Sequence, residues 1–123
     1  MTVEKLFELC AGIFGEHGSD CAVWRNGFLG MLNSVLAECW DLENGIRLAN
    51  GQSEVKEPIM VNAFSDNIDC DENLLLSCVV WGVCALLASS DDDNVRAGYF
   101  NNKFEVGKMY ALKGRWEDIE KHY

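Results

Sequence analysis

The segment from Leu74 to Ala88, Leu-Leu-Leu-Ser-Cys-Val-Val-Trp-Gly-Val-Cys-Ala-Leu-Leu-Ala, carries no charge and stops abruptly at Ser-Ser-Asp-Asp-Asp-Asn. A run of this kind has to leave water, because each large apolar side chain gains about 1.5–3 kcal/mol on burial. At fifteen residues it falls short of the ~20 needed to cross a bilayer as a helix. The expectation is therefore the hub of a helical bundle, with no membrane contact.

The rest of the chain is long enough to enclose that hub. Its 123 residues suit one domain, 1–123, since domains cluster at roughly 100–150 residues and bury a core without staples at that size. Hydrophobic residues make up 49% and charged residues 24%, with a single proline, a composition of folded helical proteins rather than disordered ones.

Helical spacing recurs on both sides of the hub. Thr2, Glu4 and Lys5 open a pattern with Leu6, Cys10 and Ile13 on one face and Leu9 beside them, ending at Gly15. Turn residues 15–20 follow, with Ser19 or Asp20 available as the next N-cap. Trp24, Phe28, Met31, Leu32, Val35, Leu36, Cys39 and Trp40 then form the longest helical stripe, with Gly27 and Gly30 marking close helix approach or a later start. Gly45 and Asn50-Gly51 mark its end. Pro58 to Phe64, with β-branched Ile59 and Val61, reads as an extended edge segment. Asp69 or Asp71 caps the central helix, and Asp92 or Asp93 caps the last long one, which carries Val95, Tyr99, Phe100, Phe104, Met109 and Tyr110 until Gly114 breaks it. The expected fold class is all-α: a four- to five-helix bundle with a central apolar helix and one short β strand or hairpin arm.

Charge narrows the function. Twenty acidic against ten basic residues give a net charge of −10, which repels a phosphate backbone and argues against sequence-specific nucleic-acid binding. An acidic surface keeps a small protein soluble and also suits a channel through which a polyanion slides. The N-terminus lacks a basic stretch followed by an apolar one, so no secretory signal is expected. The six cysteines, Cys10, Cys21, Cys39, Cys70, Cys78 and Cys84, are too sparse for a disulfide scaffold and mostly lie in apolar patterns, so they read as reduced thiols of a cytosolic protein or of a particle assembled there.

Each catalytic or metal reading meets an obstacle. No two cysteines lie closer than Cys78 and Cys84, six apart, whereas zinc sites pair ligands at short spacing. Asp69, Asp71 and Asn73 imitate the first positions of a calcium loop, but Leu74 stands where Gly is needed and Val80 where a bidentate Glu is needed. The two histidines, His17 and His122, leave only Cys10 or Cys21 as thiol partners in the sequence, with no orienting third group. No phosphate-binding glycine loop or G-x-S-x-G is present. Asp91, Asp92 and Asp93 serve as helix caps or as acidic lining of a channel. Trp24, Trp40 and Trp81 read as core, and Trp116, in the charged tail, as an anchor for another chain.

From Phe28 onward, roughly three quarters of the chain, the order of parts resembles the small head-tail connector proteins of tailed bacteriophages and prophages, also called head completion or adaptor proteins. The resemblance lies in Met-Leu-Asn-Ser-Val-Leu-Ala-Glu-Cys at 31–39, Glu-Asn-Gly-Ile-Arg at 43–47, Pro-Ile at 58–59 and Phe-Ser-Asp-Asn-Ile at 64–68. It continues in Val-Val-Trp-Gly-Val-Cys-Ala-Leu-Leu-Ala at 79–88, Asp-Asp-Asp at 91–93 and Arg-Ala-Gly-Tyr-Phe-Asn-Asn-Lys-Phe-Glu at 96–105. Trp81 and Cys84 depart from the residues more usual there, and Phe104 takes the later aromatic position. The resemblance implies a non-enzymatic subunit, without cofactor, of a homo-oligomeric ring that meets portal and tail proteins in the virion after assembly in the bacterial cytoplasm. Trp116, Ile119 and Tyr123, beyond Gly114, would then dock the tail 115–123 on a neighbouring ring. The rival readings are a small cytosolic helical interaction module of a bacterium or prophage, and a thiol-dependent enzyme or redox sensor.

Overall fold

The uncharged run does form a helix, and an aspartate-led turn starts it. In the computed structural model, Leu74 donates its backbone N–H to Asp71 Oδ2 at 3.1 Å, satisfying one of the orphan amides at the helix start. The structure describes the backbone of residues 1–15 and 19–121 and the side chains of residues 1–15 and 22–111. Among these the chain is 72% helical, with five helices and no strand: α1 (Val3–Phe14), α2 (Ser19–Glu38), α3 (Trp40–Ala49), α4 (Glu72–Ser90) and α5 (Asn94–Lys121).

Helix α4 is buried over most of its apolar length, with Leu76 and Leu86 left partly exposed. Leu74, Leu75, Cys78, Val79, Val80, Val83, Cys84, Leu87 and Ala88 lie in the core, packed by α5, α2 and α1. Its 19 residues are long and apolar enough to cross a membrane by composition alone, yet 56% of that stretch is buried inside the protein, so protein packing accounts for its apolarity. Leu75–Val79 is a π-helical turn, a local widening of the helix. Two glycines set how closely α4 approaches its neighbours. A Cβ on Gly82 would sit 2.9 Å from Val35 Cγ1 and 3.0 Å from the Phe104 ring, and one on Gly107 of α5 would collide with the Ser77 carbonyl oxygen at the π turn.

The link between α4 and α5 explains the aspartate triplet. The Asp92 and Asp93 amides donate to Ser89 and Ala88 carbonyls at 3.2 and 2.9 Å, and Asp92 takes the left-handed conformation at φ 57°, the arrangement of a Schellman C-cap. Asp93 Oδ1 then accepts from the Arg96 N–H at 3.1 Å, capping α5. Of the two expected caps at each helix, Asp71 and Asp93 are used.

Several expectations are corrected. In α1 the buried face is Val3, Leu6, Phe7, Cys10, Ala11 and Phe14, whereas Leu9 and Ile13 stay exposed. Phe7 decides this, meeting Phe28 and Phe64 edge-on at 5.1 and 5.7 Å. Gly27 and Gly30 lie within α2, away from any close approach. The stripe breaks at Cys39, and Gly45 is buried inside α3 rather than ending a helix. Gly114 does not break α5, which continues for 28 residues to Lys121, about 42 Å at 1.5 Å per residue.

The expected β arm is an irregular loop, residues 50–71, with one isolated antiparallel bridge between Thr2 and Asn67. Side-chain amides take the role a neighbouring strand would play. Asn33 accepts from the Val61 N–H at 2.8 Å and donates to its carbonyl at 2.9 Å. Asn44 does the same for Val55 at 2.8 and 3.1 Å. The loop's own carbonyls cap α1, with Val3 and Glu4 amides donating to Asp66 and Phe64 at 3.0 and 2.9 Å. With Val61 and Ile68 buried as apolar pins, the segment is held without a sheet.

Candidate protein-docking groove

Helix α5 carries two apolar faces. Phe100 and Phe104 point into the core, with Gly107 against α4. Val95 is 86% exposed, Tyr99 58%, Val106 40%, Met109 70% and Tyr110 70%. Val95, Tyr99, Val106 and Met109 are spaced by four, seven and three residues, one stripe of a helix surface.

Beside this stripe, an open groove of about 540 Å³ lies between α4 and α5, lined by Trp81, Tyr99, Val106 and Tyr110 and by the polar Ser77 and Asn102. The close approach at Gly107 brings the two helices together there. Trp81 was expected in the core. It is half-buried, stacked on Phe100 at 5.9 Å, and forms a groove wall. The Lys103 ammonium lies 4.5 Å from the Trp81 ring centre and 5.4 Å from that of Tyr99, within range of a cation–π attraction. The sequence places Tyr99, Met109 and Tyr110 on the last long helix together with Phe100 and Phe104, without separating an inward from an outward face, and does not single out Lys103. The available signal was that apolar residues on α5 occupy more of the helix surface than one face can hold.

Of the expected assembly residues, Tyr123 and the side chains of Trp116 and Ile119 lie outside the described residues, as do the side chains of Ser19, Asp20 and Cys21 and both histidines, His17 and His122. Asp91, Asp92 and Asp93 form the turn already described, with Asp91 and Asp92 exposed. Trp24 and Trp40 are half-buried. Trp24 meets Phe14 edge-on at 4.7 Å, and the Trp40 indole N–H donates to the Val55 carbonyl at 2.9 Å.

A buried carboxylate is the other notable polar feature. Glu43 is 4% exposed, accepts from Arg47 Nε at 3.0 Å and from the Asp71 N–H at 3.0 Å, and receives the Cys70 thiol at 3.4 Å. Arg47 also donates to the Asp69 carbonyl at 2.9 Å. These bonds tie the end of the long loop to α3 and place Asp71 to start α4. Both Glu43 oxygens are engaged, so its role is architectural.

The thiols are similarly enclosed. Cys39 and Cys78 sulfurs lie 3.9 Å apart. The Cys78 hydrogen bond, with help from Lys108, pulls the Cys39 thiol down, while the same contact and burial push Cys78 up. Burial and the Glu43 carboxylate push Cys70 up, and a hydrogen bond with Cys84, together with burial, raises Cys10. Cys39 is 1% exposed, so a substrate has no path to its sulfur, whatever its acidity. Among the described residues no cluster of three or more His, Cys, Asp or Glu could hold a metal ion.

No family model, curated protein or solved structure matches this chain.

Proposed function

We infer that this chain is a non-enzymatic head-tail connector subunit of a tailed bacteriophage or prophage. It assembles into a homo-oligomeric ring between portal and tail proteins, belongs to the virion after assembly in the bacterial cytoplasm, and uses no cofactor. The observation that carries this reading is the exposed apolar face of α5, from Val95 to Tyr110, beside the α4–α5 groove. A contiguous apolar surface on an otherwise acidic protein marks a site for protein partners. A net charge of −10 is compatible with a channel that passes DNA without holding it, and Asp91 and Asp92 contribute exposed charge to it.

Sedimentation and negative-stain electron microscopy of the full chain, alone and with portal rings, test the proposal. Closed rings with an open centre are expected, and truncation after Lys113 leaves a folded chain that does not assemble. Normal assembly by that truncation removes Trp116, Ile119 and Tyr123 from the interface, and absence of rings under every condition removes the connector reading. One observation favours a small cytosolic interaction module instead: the groove is concave and Lys103, the one cation lining it among the described residues, suits a short partner segment. A monomer or dimer at all concentrations is the outcome that belongs to that reading.

A further inference from the structure

The groove and the later part of α5 have complementary chemistry. Among the described residues Lys103 is the only charged side chain lining the groove, beside the neutral polar Ser77 and Asn102 and the apolar walls of Trp81, Tyr99, Val106 and Tyr110, in a chain with twenty acidic residues. Beyond Gly114 the sequence reads Arg-Trp-Glu-Asp-Ile-Glu-Lys, in which the acidic residues outnumber the flanking Arg115 and Lys121. Trp116 and Ile119 stand three apart, and Glu117, Asp118 and Glu120 supply three carboxylates among them.

We propose that the α4–α5 groove is the receptor for segment 115–123 of a second copy of this chain, with Trp116 and Ile119 entering between the aromatic walls and the carboxylates meeting Lys103. The contact cannot form within one molecule. Helix α5 runs without interruption from Asn94 to Lys121, and Trp116 lies ten residues past Val106, about 15 Å further along the same axis. A helix that continues past its own groove presents its end to a neighbour.

Because donor and acceptor are different patches, the contact is head-to-tail: each copy fills one groove and offers one tail. Such an interface closes into a ring when the rotation between copies permits, and extends as a filament otherwise. The inference rests on the self-assembling connector reading and specifies which surfaces meet.

Charge reversal in the full chain separates the two claims. Lys103→Glu, and separately the triple variant Glu117→Lys, Asp118→Lys, Glu120→Lys, each weaken assembly at least about tenfold by mass photometry. The combined variant regains assembly, which a merely misfolded protein does not, and circular dichroism melts confirm that each variant is folded. Trp116→Ala weakens assembly by about thirtyfold or more, as loss of a central aromatic anchor does. If wild-type rings form and Lys103→Glu assembles normally, or the combined variant fails to recover, the groove assignment is wrong while the connector reading stands. If wild type forms no rings either alone or with portal rings, the connector reading falls, and a synthetic peptide of residues 113–123 decides the groove. Shifts of the Trp81 indole and Lys103 resonances of the full chain then support it, and their absence overturns it.

Discussion

Two glycines on one helix make opposite predictions. Replacing Gly107 with Ala places a methyl group against the Ser77 carbonyl oxygen, with Cys78 Cα and Cβ at 3.1 and 3.2 Å. The obstacles are mainly backbone atoms, so no side-chain rotation relieves them, and α5 must move off the π turn of α4. Overpacking of a tight core costs typically 1–3 kcal/mol, and a backbone clash belongs at the upper end, about 3. Alanine returns about 1 kcal/mol over glycine in a helix interior. The net is a loss of about 2 kcal/mol. At Gly98 nothing lies within 4 Å of an added Cβ, so only the propensity gain remains, about 1 kcal/mol. With a urea m-value of about 2 kcal/mol/M, the unfolding midpoint followed by helical circular dichroism falls by about 1 M for Gly107→Ala and rises by about 0.5 M for Gly98→Ala. A Gly107→Ala midpoint at or above wild type would show that α4 and α5 are not in backbone contact.

Three further outcomes follow from the polar contacts. Glu43→Ala strips Arg47 and the Asp71 amide of their buried acceptor, and should cost about 2–4 kcal/mol in denaturant melts; a loss under 1 kcal/mol would mean the loop end is not held there. The Arg25 guanidinium donates to Glu4 at 3.0 and 2.8 Å and holds that carboxylate below its ordinary value of 4.5. The folded form therefore binds its proton later than the unfolded chain, so the small stabilisation is complete above about pH 4.5 and fades as pH falls through the lowered value. Carbon-detected NMR titration should show Glu4 returning to its ordinary value in Arg25→Ala, and an unchanged titration would contradict the pairing. For the thiols, mass-mapped alkylation of the native protein at pH 7.5 should leave Cys10, Cys39, Cys78 and Cys84 at least about a hundredfold slower than a free cysteine. A fast-reacting Cys39 would restore the thiol-enzyme reading.

The sequence was most legible where a single residue type settles a local question. An uncharged run had to be core, Asp71 and Asp93 stood where helix starts need acceptors, and Gly15, at φ 70°, ended α1. It was least legible where a distant side chain decides. The break at Cys39 carries no Gly or Pro, and Trp40 and Asn44 in the following helix instead bind the loop at Val55. Ile59 and Val61 look like a strand because β-branched residues suit one, but the partner that fixes Val61 is the amide of Asn33, 28 positions earlier. Glu43 and Arg47 entered the sequence reading only within a stretch of resemblance, and their value lies in a loop that reaches them from Asp69 to Asp71.

The same limit applies to the groove. Phe100 and Phe104 have the same periodic signature as Tyr99 and Tyr110, and periodicity alone does not say which set faces inward when a helix is apolar on two sides. Small residues on α4 and α5 resolve it: Gly82 and Gly107 admit the close face, and the larger residues on the other face are left outside. Lys103 acquires meaning only once Trp81 and Tyr99 are seen on either side of it.

Hydroxyl-radical footprinting across a concentration series reads the α5 face itself. Tyr99, Met109 and Tyr110 are 58%, 70% and 70% exposed in the single chain, and Met60, 67% exposed on the long loop, is an internal reference of similar reactivity. For a subunit that assembles through α5, oxidation of the three α5 residues falls together as oligomers form while Met60 stays reactive. Equal oxidation of all four at every concentration, or protection of Met60 alone, would show that this face is not where copies of the chain meet.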